Sequence, residues 1–283
     1  MKKGSLSTGI LILVFLAGLS LLLYPSVSDY WNSLHQSRAI AQYAEQMAGL
    51  DSRRYDALWE AARRYNEKLA SQQGRYDITD QERAEYEALL NVSGNGILGY
   101  IEIPLIGCSL PIYHGTDEAV LQIAIGHIEG TSLPVGGTGT HSVLSGHRGL
   151  PSAKLFSDLD KLAVGDEFLL RVLDETLTYE VDQILIVLPY EMDALEIDPS
   201  QDYCTLVTCT PYGVNSHRLL VRGHRVETKE AAKAIRVTAD AMQIEPMLVA
   251  PLLAAPMLLI LLIGLLIPKK QKDRTGGMSN EVQ

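Results

Sequence analysis

Cys209 closes a β-branched run in the stretch TLVTCTPYGVNSHRLLVRGHR, residues 205–225, and a segment rich in arginine and histidine follows it directly. A cysteine acts as a nucleophile in its thiolate form, and a guanidinium, charged at every working pH, can stabilise both that thiolate and an oxyanion forming on an attacked carbonyl. If residues 205–209 are a strand, Cys209 shares a face with Val207 and Thr205. After the loop TPYGVN, Arg218, Leu220, Arg222 and His224 alternate onto one face of the next strand. Two adjacent strands would then set Cys209 and Arg218 side by side across a hairpin. The chemistry to expect is covalent acyl transfer through a cysteine.

Such a nucleophile needs a proton carrier, which the fold can bring from far along the chain. The histidines are His35, His114, His127, His141, His147, His217 and His224. His35 belongs to a membrane-proximal helical segment, and His217 and His224 have opposite strand parity. His147 ends an apolar run and precedes Arg148 and Gly149, a strand-to-loop position of the kind that displays catalytic groups. It leads on spacing, with His141 close behind it.

These residues need a scaffold, and the chain is long enough to build one. At 283 residues it supports one good core with accessories. Lys plus Arg number 24 against 34 Asp plus Glu, for a net charge of −10, which opposes a broad electrostatic grip on nucleic acid. Three cysteines are an odd number, so at least one stays unpaired. Cys204 and Cys209 fall on opposite strand faces, which argues against a bond between them, while a bridge from Cys108 to Cys204 stays open. No HExxH pattern, metal-ligand spacing or phosphate loop occurs, so no metal or organic cofactor is expected.

Two apolar stretches lie at opposite ends. Residues 4–28 carry no charge and follow Lys2 and Lys3; the absence of an Ala-x-Ala-like site favours an uncleaved anchor over a signal peptide. Residues 247–267 are apolar and run into PKKQKDR, the pattern of a second span. Lysines outside both spans place both termini in the cytoplasm and the middle of the chain outside the cell. Between the spans, residues 29–73 have helical periodicity, with an interruption near residues 49–51 and Gly74 as the stop signal. A polar connector with a short helix around residues 82–90 leads to a boundary at residues 93–96.

Beyond Gly96 the period changes to that of strands. Short runs such as ILGYIEIPLIG, GTHSVLSGH, EFLLRVL, LTYEVDQILIVL, CTLVTC and HRLLVRG, punctuated by Gly, Pro and Asp, point to a mainly β barrel or sandwich. In LTYEVDQILIVL the apolar phase slips at Asp182 and Gln183, which predicts a bulge or a junction of two strands.

The segments TLVTC, NSHRLLVRGHR, GTHSVLSGHRGLPSAKLFSDLDKL and GYIEIPLI together resemble the sortases, and specifically the class C, pilus-assembling sortases of Gram-positive bacteria. The resemblance covers roughly residues 99–225. It implies an eight-stranded β-barrel with short helices, preceded by N-terminal helices and flanked by two transmembrane helices. The implied organisation is an anchor at 1–28, a helical region and lid connector at 29–95, the catalytic barrel at 96–228, a linker at 229–246, a span at 247–267 and a cytoplasmic tail at 268–283. It assigns the nucleophile to Cys209, the histidine to His147 in preference to His141, and the arginine to Arg218. Thr208 becomes a substrate-positioning candidate, although an ordinary strand threonine fits it equally.

The implied substrates are surface proteins or pilins with LPxTG-like C-terminal sorting signals, joined through a pilin lysine, with peptidoglycan as the alternative acceptor and an inert assembly module as the non-enzymatic alternative. One departure stands out. The lid of class C enzymes often carries an Asp-Pro-aromatic motif over the cysteine, whereas the connector here offers Tyr76, Asp77 and Ile78, without proline or a following aromatic. Either Asp77 and Ile78 belong to an altered lid, or the site is open.

Overall fold

A computed structural model describes residues 3–229, with side chains from residue 9 onward. The span expected at residues 247–267 lies outside the described residues. The chain divides after Ser26, and the unit that starts at Val27 contains the barrel.

Helix α1 (Lys3–Ala48) takes in the N-terminal apolar stretch and the first helical segment after it. It is long and apolar enough to cross a bilayer, and large apolar side chains from Ile10 to Trp31 are exposed along it. The break expected near residues 49–51 is real: α2 (Ser52–Ala70) starts afresh with the Asp51 side chain accepting from the Arg54 N–H. This helix ends at Ala70 rather than at Gly74. The N–H of Ser71 returns to the Leu69 and Lys68 carbonyls, and Gly74, at φ +67°, serves the following turn. α3 (Asp80–Ala88) opens with a Thr79–Glu82 capping box.

Eight strands follow: β1 (Ile97–Ile103), β2 (Cys108–His114), β3 (Ile125–His127), β4 (Thr140–Ser145), β5 (Glu167–Val172), β6 (Glu175–Val187), β7 (Asp202–Thr210) and β8 (His217–Val226). They close into a barrel in the order β1-β2-β3-β4-β7-β8-β6-β5, with β2–β3 and β4–β7 parallel and the other neighbours antiparallel. Closure leaves no free sheet edge. The slip in β6 is a bulge within one strand, since the register against β8 skips between Val181 and Gln183. The extra residue is Asp182, whose carboxylate takes a bidentate contact from Arg222 at 2.9 and 3.0 Å.

β2 and β3 were absent from the strand-like runs in the sequence. Pro111 interrupts the pattern of β2, and the proline is tolerated because it sits just before Ile112, where pairing with β3 begins. β3 has three residues, too few to show a period.

Alternation along the strands sorts side chains into two apolar sets. Leu144, Phe168, Leu170, Tyr179, Leu206, Leu219 and Val221 point into the barrel, where Phe168 and Tyr179 stack at 5.6 Å. Val143, Val207 and Leu220 point outward and bury against Leu195 of the β6–β7 connection, giving a second cluster on the outer wall. The helices pack elsewhere on the barrel. Tyr43 of α1 donates to the Leu98 carbonyl and accepts from the N–H of Leu173, the positive-φ residue in the β5–β6 turn. Asn66 of α2 both donates to the Leu133 carbonyl and accepts from its N–H.

Candidate active site

Cys209 and Arg218 are direct cross-strand partners in the β7–β8 hairpin. Opposed residues on one face have Cβ atoms about 5 Å apart. The pairs continue along the same outward face as Val207↔Leu220 and Thr205↔Arg222, so the cysteine sits at one end of the outer apolar cluster. The Arg218 guanidinium donates to the carbonyls of Asn215 at 3.2 Å and His217 at 3.1 Å. These are loop acceptors, which a substrate oxygen could replace.

His147 arrives from the parallel neighbour. β4 pairs with β7 up to Ser145↔Val207, and the ladder extends one step further through the Gly146 N–H to the Val207 carbonyl at 3.0 Å. Continuing that register by two residues brings His147 level with Cys209, on strands about 4.8 Å apart. Thr208, buried and facing inward, donates to the Gly146 carbonyl at 2.7 Å. It thus ties the residue before the cysteine to the residue before the histidine. The glycine is required at this point, because a Cβ on Gly146 would lie 2.8 Å from both Ile125 and the Phe156 ring.

The loop after His147 is locked onto the β7–β8 loop. Arg148 pairs with Asp160, donates to Thr210 at 3.3 Å and lies 5.9 Å from the centre of the Tyr212 ring. Gly149 has φ +75°, and a Cβ there would approach that ring to 2.9 Å. Both the conformation and the close approach call for glycine.

His141 is placed quite differently. It is buried, its Nδ1 donates to the Glu196 carbonyl at 2.9 Å and its Nε2 accepts from the Thr205 hydroxyl at 2.7 Å. Burial holds its pKa below the usual imidazole range. Neither nitrogen is available for proton transfer, and the ring instead props the β6–β7 connection. His147 keeps 29% of its side chain exposed.

All three cysteines are free, so no bridge joins Cys108 to Cys204. Desolvation pushes the Cys108 thiol up to about 12 and holds that of Cys204, inside the barrel, well above its ordinary value. Cys108 and Cys209 are both partly exposed, and of the two it is Cys209 that faces a guanidinium.

The connector runs across the far end of this wall. Asp77 is exposed, and its N–H returns to the Gly74 carbonyl at 2.9 Å. Ile78 lies among Tyr65, Leu69 and Gln72 of the helical region. The residue that reaches the β6–β7 connection over the outer cluster is Arg75, missed in the sequence because nothing marks it among the other arginines. Its side chain is 10% exposed, donates to the Leu195 carbonyl at 3.1 Å and pairs with Glu196 at 3.2 Å. Tyr76 packs beside it against Gly130, where a Cβ would meet the tyrosine ring at 2.8 Å. Among the described residues no group of histidine, cysteine and carboxylate side chains could hold a metal ion.

Residues 101–226 match the family described as the sortase domain. Sortase D of Bacillus subtilis (strain 168) is 30% identical over 156 residues, which are 54% of this chain and 75% of that protein. Among solved structures, sortase C1 of Streptococcus agalactiae aligns with a TM-score of 0.67 at 53% identity, covering 68% of this chain and 100% of that one. Sortase C of Streptococcus pneumoniae, a structure described in connection with catalysis and pilin substrate specificity, aligns with a TM-score of 0.61 at 44% identity, covering 68% and 97%. With its eight-stranded barrel and a cysteine and an arginine paired at the end of β7, the chain belongs to the sortase family of cysteine transpeptidases, in the class C group that these structures represent.

Proposed function

We propose that this chain is a membrane-anchored pilin polymerase that cuts an LPxTG-like sorting signal and joins the released carbonyl to a lysine on the next subunit. The observation that carries the reading is the Cys209↔Arg218 pair with His147 at the adjoining end of the parallel strand. In this reading the Cys209 thiolate attacks the threonine carbonyl, and Arg218 turns from its loop carbonyls to the developing oxyanion. His147 gives a proton to the departing glycine amine, leaving a thioester on Cys209. The acceptor amine then attacks, His147 takes a proton from it, and the amide leaves. The outer cluster of Val143, Val207, Leu195 and Leu220 lies beside the nucleophile and, buried under the β6–β7 connection, fixes the strand that carries it. Thr208 acts from behind, by holding the strands of the two reacting residues together.

The lid takes the form of a strap in this proposal. Arg75 fastens the connector to Leu195 and Glu196, so the connector acts on the loop that covers the outer apolar cluster, while Asp77 and Ile78 continue the connector, Asp77 exposed and Ile78 against the helical region. Pilin is preferred as substrate because the class C neighbours include one described by its pilin substrate specificity. The test is mass spectrometry of the full chain in detergent with an LPxTG-type peptide, with and without a pilin bearing an acceptor lysine. An adduct on Cys209 that resolves to an isopeptide is the expected result. Resolution only onto a peptidoglycan amine would make the protein a cell-wall anchoring sortase, and no adduct in the native chain would refute the enzymatic reading.

A further inference from the structure

We propose that Glu118 is the subsite that receives the ammonium group of the acceptor, a proposal that rests on the transpeptidase reading above. Glu118 opens the short helix α4 (Glu118–Leu121), which follows β2 and leads into β3. The parallel β2–β3 pairing and the antiparallel β3–β4 pairing fold this segment back to the exit of β4, where His147 stands. Glu118 Oε2 lies 3.9 Å from His147 Nε2, and its other oxygen accepts from Gln122 one turn on. The Glu118 side chain is 74% exposed, so its carboxylate is open to a solvent-borne cation while it faces the imidazole.

The chemistry supplies a need for such a group. A lysine amine has a pKa near 10.4 and arrives protonated, yet only the neutral amine can attack a thioester. Two atoms 3.9 Å apart share a ring of positions about 2.9 Å from each, an ordinary hydrogen-bond length. A nitrogen on that ring pairs with the carboxylate and can hand a proton to Nε2 at the same time. The nitrogen then bonds to the acyl carbon and the carbon–sulfur bond breaks. Of the two protons the nitrogen sheds, one goes to His147 and one to the departing thiolate. Water, the rival nucleophile, carries no charge and gains only a hydrogen bond from this carboxylate, without the ion-pair attraction. Glu118 would therefore bias the thioester toward amines over hydrolysis.

The experiment uses the full chain in detergent, an LPxTG-type peptide as donor, and Nα-acetyl-lysine methylamide or hydroxylamine as acceptor at pH 7. Hydroxylamine is a nucleophile that is neutral at this pH. Within each variant the ratio of aminolysis to hydrolysis is measured at subsaturating acceptor, so any change in acylation rate cancels. Glu118→Gln is expected to lower the lysine ratio about fivefold, the factor for one charge contact at 4 Å in a high-dielectric setting, and to raise the apparent KM for the lysine probe. The hydroxylamine ratio serves as the internal reference, and Glu118→Asp should restore part of the lysine ratio. Equal falls for both acceptors would mean that Glu118 only orients His147, and an unchanged lysine ratio would remove the subsite; either overturns the proposal. Absence of any Cys209 thioester in the native enzyme would instead sink the transpeptidase reading beneath it.

Discussion

Replacing Arg75 with alanine should loosen the β6–β7 connection over the outer apolar cluster while leaving the barrel intact. The side chain is 10% exposed and gives charged hydrogen bonds to the Leu195 carbonyl and, within the connector itself, to the Tyr76 hydroxyl, both at 3.1 Å, together with an ion pair to Glu196 at 3.2 Å. Glu196 is itself 65% exposed, so the ion pair adds little. The bond to Leu195 is the one that links connector to loop, and a bond from a charged donor to a carbonyl is worth about 2 kcal/mol. That energy corresponds to roughly a 30-fold rise in the population in which the connector and loop have parted. The assay is native-state hydrogen exchange at the amides of Leu195 and Glu196, which bond to the carbonyls of Met192 and Asp193. Their exchange should accelerate by about 30-fold, while Leu219 and Val221 inside the barrel keep their protection. Labelling of Cys209 by a substrate-like thiol reagent should accelerate in parallel. Unchanged exchange at both loop amides in a folded Arg75→Ala protein would refute the strap.

Other consequences are equally direct. Arg218→Ala should lower kcat/KM by about 10²- to 10³-fold, as loss of an oxyanion donor does, with thermal stability nearly unchanged because its present bonds go to loop carbonyls. Alkylation of the native protein at pH 8 should mark Cys209 ahead of Cys108 and Cys204, since desolvation keeps the partly exposed Cys108 thiol and the buried Cys204 thiol protonated; peptide mapping before and after unfolding reads this out. Buried His127 has its pKa lowered to about 4 by desolvation, with Nε2 donating to the Ser132 carbonyl and Nδ1 accepting from Tyr86. The unfolded chain therefore binds the extra proton between pH 6.5 and 4, so stability is full above this window and falls by up to about 3 kcal/mol through it. Urea midpoints measured across these pH values should show that loss, and His127→Asn should flatten it.

Some features were legible in the chain because they depend on neighbours in sequence. The five-residue separation of Cys204 and Cys209 sends one into the barrel and the other outward, as the period of a strand requires. The phase slip at Asp182 marks the bulge, and the run from Cys209 through a turn to Arg218 folds as the hairpin its alternation demands. β3 and the proline-containing β2 were obscure for the same reason, since three residues or a broken alternation carry no period.

Sequence by itself thus determined which residues share a face and which segments pair through short turns, for those are properties of local backbone geometry. The choice of His147 over His141 came from family resemblance. Its physical cause is tertiary: His141 has both nitrogens engaged beneath the β6–β7 connection, and the parallel β4–β7 pairing carries His147 to the end of the strand bearing Cys209. The same holds for Arg75 against the β6–β7 connection and Glu118 beside the imidazole, which lie 120 and 29 residues from their partners Leu195 and His147. Contacts over such separations leave no periodic trace, and only closure of the barrel brings their strands and loops together.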